Sequence, residues 1–520
     1  MRFTIAILAA VLLAGCSSNA STTPTCAVSA ISISGAPATL TVGATATLTA
    51  NVTQQNCTSV ALTWGSSNIA LLTVDQSGHV TGVAAGGPVT ITVSGGGQSG
   101  TAQITVAAVP VAIVNVAPDS IVVGAGGTFL LAATTRAIDS SILTGRVITW
   151  SSAANATAMI SAAGLVAAVA PGTTTMTATS ETKTGTSKVF VATPRLVFFW
   201  NNVATTAGAV VPDFGYSYSL GAGANSVTST SVGNYALTYA NFARTGAETE
   251  ALFITPYSAA PGTYCGIGGW STESASTTCS STAGTPLDSR FDFLALTSGT
   301  FAGRYAYAWV DNASPTTPVA PHPQYRFSSS NQAITVTKAA TGVYSVLFAG
   351  QGRLAGTDRD AVIVSAYGNN AFQCQPSGWT SSGADLTALV YCFNGAGVAT
   401  DSRFDIALIS QPRAGATLGY LDADQPGATG GYSPTNSKVM PTGTVTVTRS
   451  GVGTYSVRLD GLFRSGSLRE SFQINAVGTT AIRCQSAGWG YDVTGVTSFV
   501  SCANPAGVAT DSRFVMLGVQ

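Results

Sequence analysis

Asp288-Ser289-Arg290-Phe291 returns as Asp401-Ser402-Arg403-Phe404 and again as Asp511-Ser512-Arg513-Phe514. A motif that recurs at a steady interval marks one design made several times, and it decides the fold before any local propensity does. Reading backwards from each copy, the same features recur in the same order. A cysteine pair comes first: Cys265 with Cys279, Cys374 with Cys392, Cys484 with Cys502. Between its members stands Gly-Trp, at Trp270, Trp379 and Trp489, spaced by 109 and 110 residues. Further back is an apolar strand (Ala251 to Thr255, Ala361 to Ser365, Glu470 to Asn475). Before it lies a hairpin on Gly-x-Tyr, at Gly233-Asn234-Tyr235, Gly342-Val343-Tyr344 and Gly453-Thr454-Tyr455. An aromatic strand precedes the hairpin at Tyr216 to Tyr218, Tyr325 to Phe327 and Tyr432, and each unit opens with a strand at Leu196 to Trp200, Tyr305 to Val310 or Leu418 to Asp422. Seven or eight short strands and no helical period predict antiparallel sandwiches or barrels. With the Asp-Ser-Arg-Phe strand last in each copy, the units are 193–298, 299–411 and 412–520. Their short linkers predict a stiff rod of separate units.

The preceding 160 residues repeat on a different period. Leu62-Thr63-Trp64 is matched by Ile148-Thr149-Trp150, 86 residues on. Gly78-His79-Val80 is matched by Gly164-Leu165-Val166, and Ala84-Ala85-Gly86 by Ala170-Pro171-Gly172. These pieces resemble the bacterial Ig-like domain of group 2, of the kind found in intimin- and invasin-like surface proteins. The resemblance implies two β-sandwiches, 29–107 and 108–192, and no particular function. Trp64 and Trp150, flanked by alternating apolar residues, are expected in the two cores. Leu165 replaces His79 in the second copy, which argues against a ligand role for that histidine. Cys26 and Cys57 belong to the first copy alone, where they are expected to tie the first strand to the loop before Trp64. The overall expectation is all-β: tandem Ig-like β-sandwiches, then three disulfide-bridged antiparallel β-sandwich or barrel units.

The start of the chain reads as a targeting segment. Arg2 supplies the charge, Phe3 to Leu13 the apolar run, and Leu13-Ala14-Gly15-Cys16 resembles a bacterial lipobox. The resemblance implies removal of the residues before Cys16, acylation of Cys16, and a membrane anchor followed by a polar tether, 17–28. Ser17 in place of Asp leans towards the outer membrane. An exported chain with eight further cysteines in neighbouring pairs reads as a disulfide framework; with only His79 and His322, zinc sites are poorly served.

Net charge is zero and charged residues are 8%, so no basic footprint marks a nucleic-acid partner. The two histidines lie in different modules, His322 in a Pro-rich loop, which leaves no nucleophile–base arrangement. Only five glutamates occur and none recurs between units, which argues against a paired-carboxylate hydrolase. Asp358 with Asp360, and Asp422 with Asp424, are pairs at which calcium is conceivable though unsupported. Asp288, Asp401 and Asp511 have two readings: a ligand site, or turn caps with Arg paired nearby and Phe in the core. Trp270, Trp379 and Trp489 likewise pack on the disulfides or present a stacking surface. The expectation is a non-enzymatic, cofactor-free envelope lipoprotein that recognises a surface glycan or protein, with a structural envelope component as the alternative and a carbohydrate-active enzyme as the third reading. Divergent loops at Ser314 to Pro323 and Asp422 to Ser437 are the candidate places for recognition.

Overall fold

The computed structural model describes residues 25–204, 208–212, 216–219, 225–244, 247–257, 259–301, 303–353, 359–368, 371–412, 417–462 and 470–520. The expected leader, Cys16 and most of the tether lie outside these residues, as does Asp358. Regular structure is almost entirely β-strand. No described helix is long and apolar enough to cross a membrane. The chain forms two compact units: one takes residues up to Ala112 with Ala137–Ser141, the other Ile113–Arg136 with Ile142–Gln520.

In the first unit, Thr39–Thr41, Gln98–Ala107, Gly86–Gly95 and Thr63–Ser66 form a four-stranded sheet in that order, with the first pair parallel. Three further strands, Thr45–Thr47, His79–Gly82 and Leu72–Val74, form a second sheet. The buried core holds Trp64 with Leu72, Val80, Ile91 and Ile104. The Gly-x-Val turn explains itself here. Gly78 sits at φ +82°, and a Cβ there would stand 2.6 Å from the Leu48 carbonyl and 3.1 Å from the Trp64 ring. Gly164 repeats this against Leu131 and Trp150 at φ +84° in the second sandwich. Tryptophan and glycine are thus one packing device, since only glycine offers both the left-handed backbone and the missing methyl. Cys26 and Cys57 are bonded.

The three C-terminal repeats each contain two sheets. In the first, the inner sheet runs Ser217–Ser219, Leu196–Asn201, Arg290–Thr297, Glu250–Tyr257; the outer sheet runs Ser226–Ser231, Asn234–Thr238, Ser274–Ser280, Tyr264–Ser271. The second and third repeats follow the same plan. The third inner sheet begins with Ser437–Met440, so the counterpart of Tyr216 to Tyr218 is that strand and not Tyr432, which instead bridges to Val447.

The strand that follows Asp-Ser is buried on both faces. Phe291, Phe293 and Ala295 enter a core private to the first repeat, while Leu294 and Leu296 face the other way. That second face belongs to a core shared by all three repeats: Phe253, Tyr305, Ile363, Tyr420, Leu517 and their neighbours. The repeats are therefore not a rod. They close a ring around a pseudo-threefold axis, in which the sheet of each joins the next. Ile267 of the first pairs with Tyr367 of the second, and Tyr257 of the first with Ser486 of the third. Gly478 of the third donates its N–H to the Pro376 carbonyl of the second at 3.0 Å. Around the axis, Thr255, Ser365 and Asn475 each accept from a backbone N–H of the adjoining repeat (Ile474, Ile254, Val364) at 2.9, 3.1 and 2.8 Å.

Candidate functional site

The Asp, Ser and Phe of the Asp-Ser-Arg-Phe motif are assembled in the same way three times. The carboxylates of Asp288, Asp401 and Asp511 accept from the N–H of Gly233, Gly342 and Gly453 at 2.7, 2.8 and 2.7 Å. These glycines have φ of +70°, +67° and +64°, and a Cβ on any of them would strike backbone at 2.4–2.5 Å. The next residue, Ser289, Ser402 or Ser512, donates its N–H to the hydroxyl of Tyr235, Tyr344 or Tyr455. Each hydroxyl in turn donates to a loop carbonyl, that of Ala204, Ala313 or Pro426. Burial pushes these three phenols up to about 12, so they stay neutral donors. Phe291, Phe404 and Phe514 pack on the same tyrosine rings. Motif and hairpin are two halves of one latch, and the aspartates are engaged by the protein itself. Lys338 pairs with Asp401, and Arg449 grips Asp511 through two bonds of 2.9 and 2.8 Å. Tyr344→Phe leaves the Ser402 N–H and the Ala313 carbonyl without their buried partner. It is expected to cost roughly 2 kcal/mol in urea unfolding, with Tyr235→Phe and Tyr455→Phe alike.

The disulfides Cys265–Cys279, Cys374–Cys392 and Cys484–Cys502 link directly opposed residues of the outer hairpins. Five residues beyond the first cysteine of each pair, the tryptophan points into a seam between repeats. At the seam of the first and second repeats, Trp270 meets Trp309, Tyr325 and Tyr367 at 5.6, 5.2 and 5.2 Å between ring centroids. His322, from the divergent loop, stacks on Trp309 and Tyr325. At the seam of the third and first repeats, Trp489 meets Trp200, Tyr216 and Tyr257 at 6.0, 5.5 and 5.1 Å. The two clusters use equivalent positions and are partly exposed. At the seam of the first and second repeats guanidinium groups sit over the rings, Arg244 on Tyr325 and Arg403 on Tyr367. The third seam differs. Trp379 lies beside Arg513, which is bound through two bonds to Asp422. Of the three motif arginines, Arg513 makes the carboxylate pair expected of the motif, and Arg403 stacks on an aromatic ring.

Beneath the aromatic seams are carboxyl groups that sequence reading missed. An acidic residue does recur: Glu250, Asp360 and Glu470 hold the same place at the head of the strand after the Gly-x-Tyr hairpin. The expectation that no glutamate recurs between units is therefore corrected: Glu250 and Glu470 are equivalent, with aspartate in the second copy. Asp292 and Asp405, just after the motif phenylalanines, face across the seams to Glu470 and Glu250. All four are fully buried. Neither oxygen of Asp292 or of Asp405 has a hydrogen-bond partner. Burial, reinforced by the facing glutamate, raises both aspartates well above the usual carboxylate range. Burial raises Glu250 to about 7, against the pull of Arg244 and Trp270. Glu470 accepts from the Trp489 indole at 3.2 Å. In the third seam the position of Asp292 and Asp405 is taken by Val515, and Asp360 is instead bound by Arg353. Asp422 is committed to Arg513, and no group of three or more potential ligands could hold a metal among the described residues.

No curated protein matches the chain. Among solved structures, domains 4 and 5 of the S-layer protein SbsC are similar at 24% identity, over 32% of this chain and 98% of that one, with a TM-score of 0.18. A longer SbsC fragment is similar at 11% identity over 86% of this chain and 54% of that one, with a TM-score of 0.21. Human protocadherin-24 EC1-2 is similar at 15% identity over 31% of this chain and 98% of that one, with a TM-score of 0.17. Likeness at this level carries no functional statement. The family model of the bacterial Ig-like domain (group 2) matches residues 27–106 and again 110–191, so the chain carries two copies of that domain.

Proposed function

We propose that this chain is a non-enzymatic cell-surface recognition protein whose three-repeat ring binds glycan at its two aromatic seams. The observation that carries this reading is the contrast among the seams. The third is closed by Arg513, Asp422 and Trp379, so the ring does not need four aromatic rings at a seam in order to form. Two seams nevertheless keep the same partly exposed cluster, and one adds His322 from the divergent loop. Partly exposed indole and phenol rings, with guanidinium groups beside them at one seam, suit the apolar faces and hydroxyls of a sugar. Four disulfides support an oxidising, extracytoplasmic setting. In this reading the Ig-like domains are the spacers and the Cys16 lipid is the anchor to the envelope.

The test is a glycan array and an envelope-fragment pull-down with the full mature chain. Trp309→Ala and Tyr216→Ala are each expected to weaken glycan binding roughly 10–30-fold while the unfolding midpoint shows a folded protein. Binding to a protein instead of a glycan, at the same seams, would replace the ligand class. No binding to any surface would leave the structural-component reading. Cleavage of a bound glycan would overturn the non-enzymatic one and point to the carboxyl groups beneath the rings.

A further inference from the structure

The residue before the first cysteine of each repeat is Tyr264, Gln373 or Arg483, so the three meet where the ring closes. Arg483 is 4% exposed. Its guanidinium donates to the Gly262 carbonyl at 2.7 Å, the Gly395 carbonyl at 2.6 Å and the Gln373 side-chain oxygen at 3.0 Å, and lies 4.1 Å over the Tyr264 ring. It thus touches all three repeats. None of these partners is a carboxylate, and burial works against its charge. A buried cation without a counter-charge is costly, and proteins ordinarily supply the opposite charge. A guanidinium has five N–H donors, and the three bonds leave two.

Beside Arg483 is a cavity of about 40 Å³, lined by one half-cystine of each repeat (Cys265, Cys374, Cys484), by Gln375 and by Thr263. No carboxylate lines it. The Thr263 hydroxyl is buried there and has no partner. A single water needs about 10–15 Å³ by this measure, so there is space for one halide or about three waters, and none for a large organic anion.

We propose that this axial cavity is a binding site for a monovalent inorganic anion of halide size, held by Arg483 and the Thr263 hydroxyl. The anion neutralises the charge of Arg483, which touches all three repeats, and so fastens the ring at its axis. Binding only to the closed ring, it raises the unfolding midpoint in a saturable way.

The experiment replaces sodium gluconate by sodium chloride at constant ionic strength while thermal unfolding of the full mature chain is followed. The expected result is a rise of roughly 2–4 °C that reaches a plateau. Arg483→Met is expected to lose the rise. Crystals of the unaltered chain grown in bromide are expected to show anomalous density on the axis beside Arg483, which decides the matter even if the variant does not fold. No saturable rise, together with no bromide at the axis, overturns the proposal and leaves the cavity to water.

Discussion

The protein is expected to unfold at a higher temperature at pH 5 than at pH 8, and Glu250→Gln combined with Asp405→Val is expected to remove much of that difference. The sign follows from proton linkage. Glu250 has a folded-state pKa of about 7, against 4.5 when unperturbed. Between those values the folded chain holds a proton that the unfolded chain has released, so stability falls as pH rises through the window and levels off above the folded pKa. A shift of that size corresponds to roughly 3 kcal/mol lost between about pH 4.5 and 7. Burial also raises Asp405 and Asp292 well above the ordinary carboxylate range, so both act in the same direction. Carboxylates with lowered pKa, such as half-buried Asp511 beside Arg449, act the other way only as pH falls through and below the unperturbed range. Asp405→Val is the instructive change because the protein makes it itself: Val515 stands at the same place in the third repeat, buried and opposite Asp422. Removing a carboxyl with two unpartnered oxygens is expected to stabilise by roughly 1–3 kcal/mol near pH 8. A midpoint that is flat or rises from pH 5 to 8 would show that the seam carboxyls ionise as ordinary surface groups.

A chain ending at Pro412, without the third repeat, is expected to leave the first two repeats unfolded. The third repeat contributes Leu418, Tyr420, Val477, Val515, Leu517 and Val519 to the shared core. Burying each such side chain is worth roughly 1.5–3 kcal/mol, so together they amount to about 10 kcal/mol, the order of a whole domain's stability. Truncation also strips the pairing partner from Tyr257 and uncovers one side of the core. Limited proteolysis is the measurement. The first Ig-like domain, with its own core and disulfide, should persist as a resistant fragment while residues beyond 193 are digested. A folded, monomeric 193–412 fragment would mean that each repeat is self-sufficient.

The disulfides and the recurring motifs are legible in the sequence because they are local to a repeat and return in each. The two halves of the latch recur as separate motifs, but their separations of 55, 59 and 58 residues hide that Gly and Asp are partners. The ring was not legible. Its closure rests on strands buried on both faces, such as Arg290–Thr297, where a continuous apolar run hides which residues face the shared core. Its contacts also span great distances in sequence: the Thr255 hydroxyl meets Gln473 at 3.1 Å, 218 residues away. The aromatic seams were half legible. The recurring Gly-Trp marks Trp270, Trp379 and Trp489, but nothing in the opening strands distinguishes their partners Trp200 and Trp309 from ordinary strand residues. The buried acids were hidden by the interchange of Glu250, Asp360 and Glu470, and by Val515 breaking the series in the last copy.

The strand Phe514–Val519 lies between Leu418–Ala423 and Ser471–Ala476 and contributes to both the third repeat's private core and the shared one. If the truncated ring is unfolded as expected, the ring has no stable partial form during synthesis, and roughly three hundred residues stay open until this strand is made. Contacts of such long reach make for slow, late closure and exposed apolar surface in the meantime.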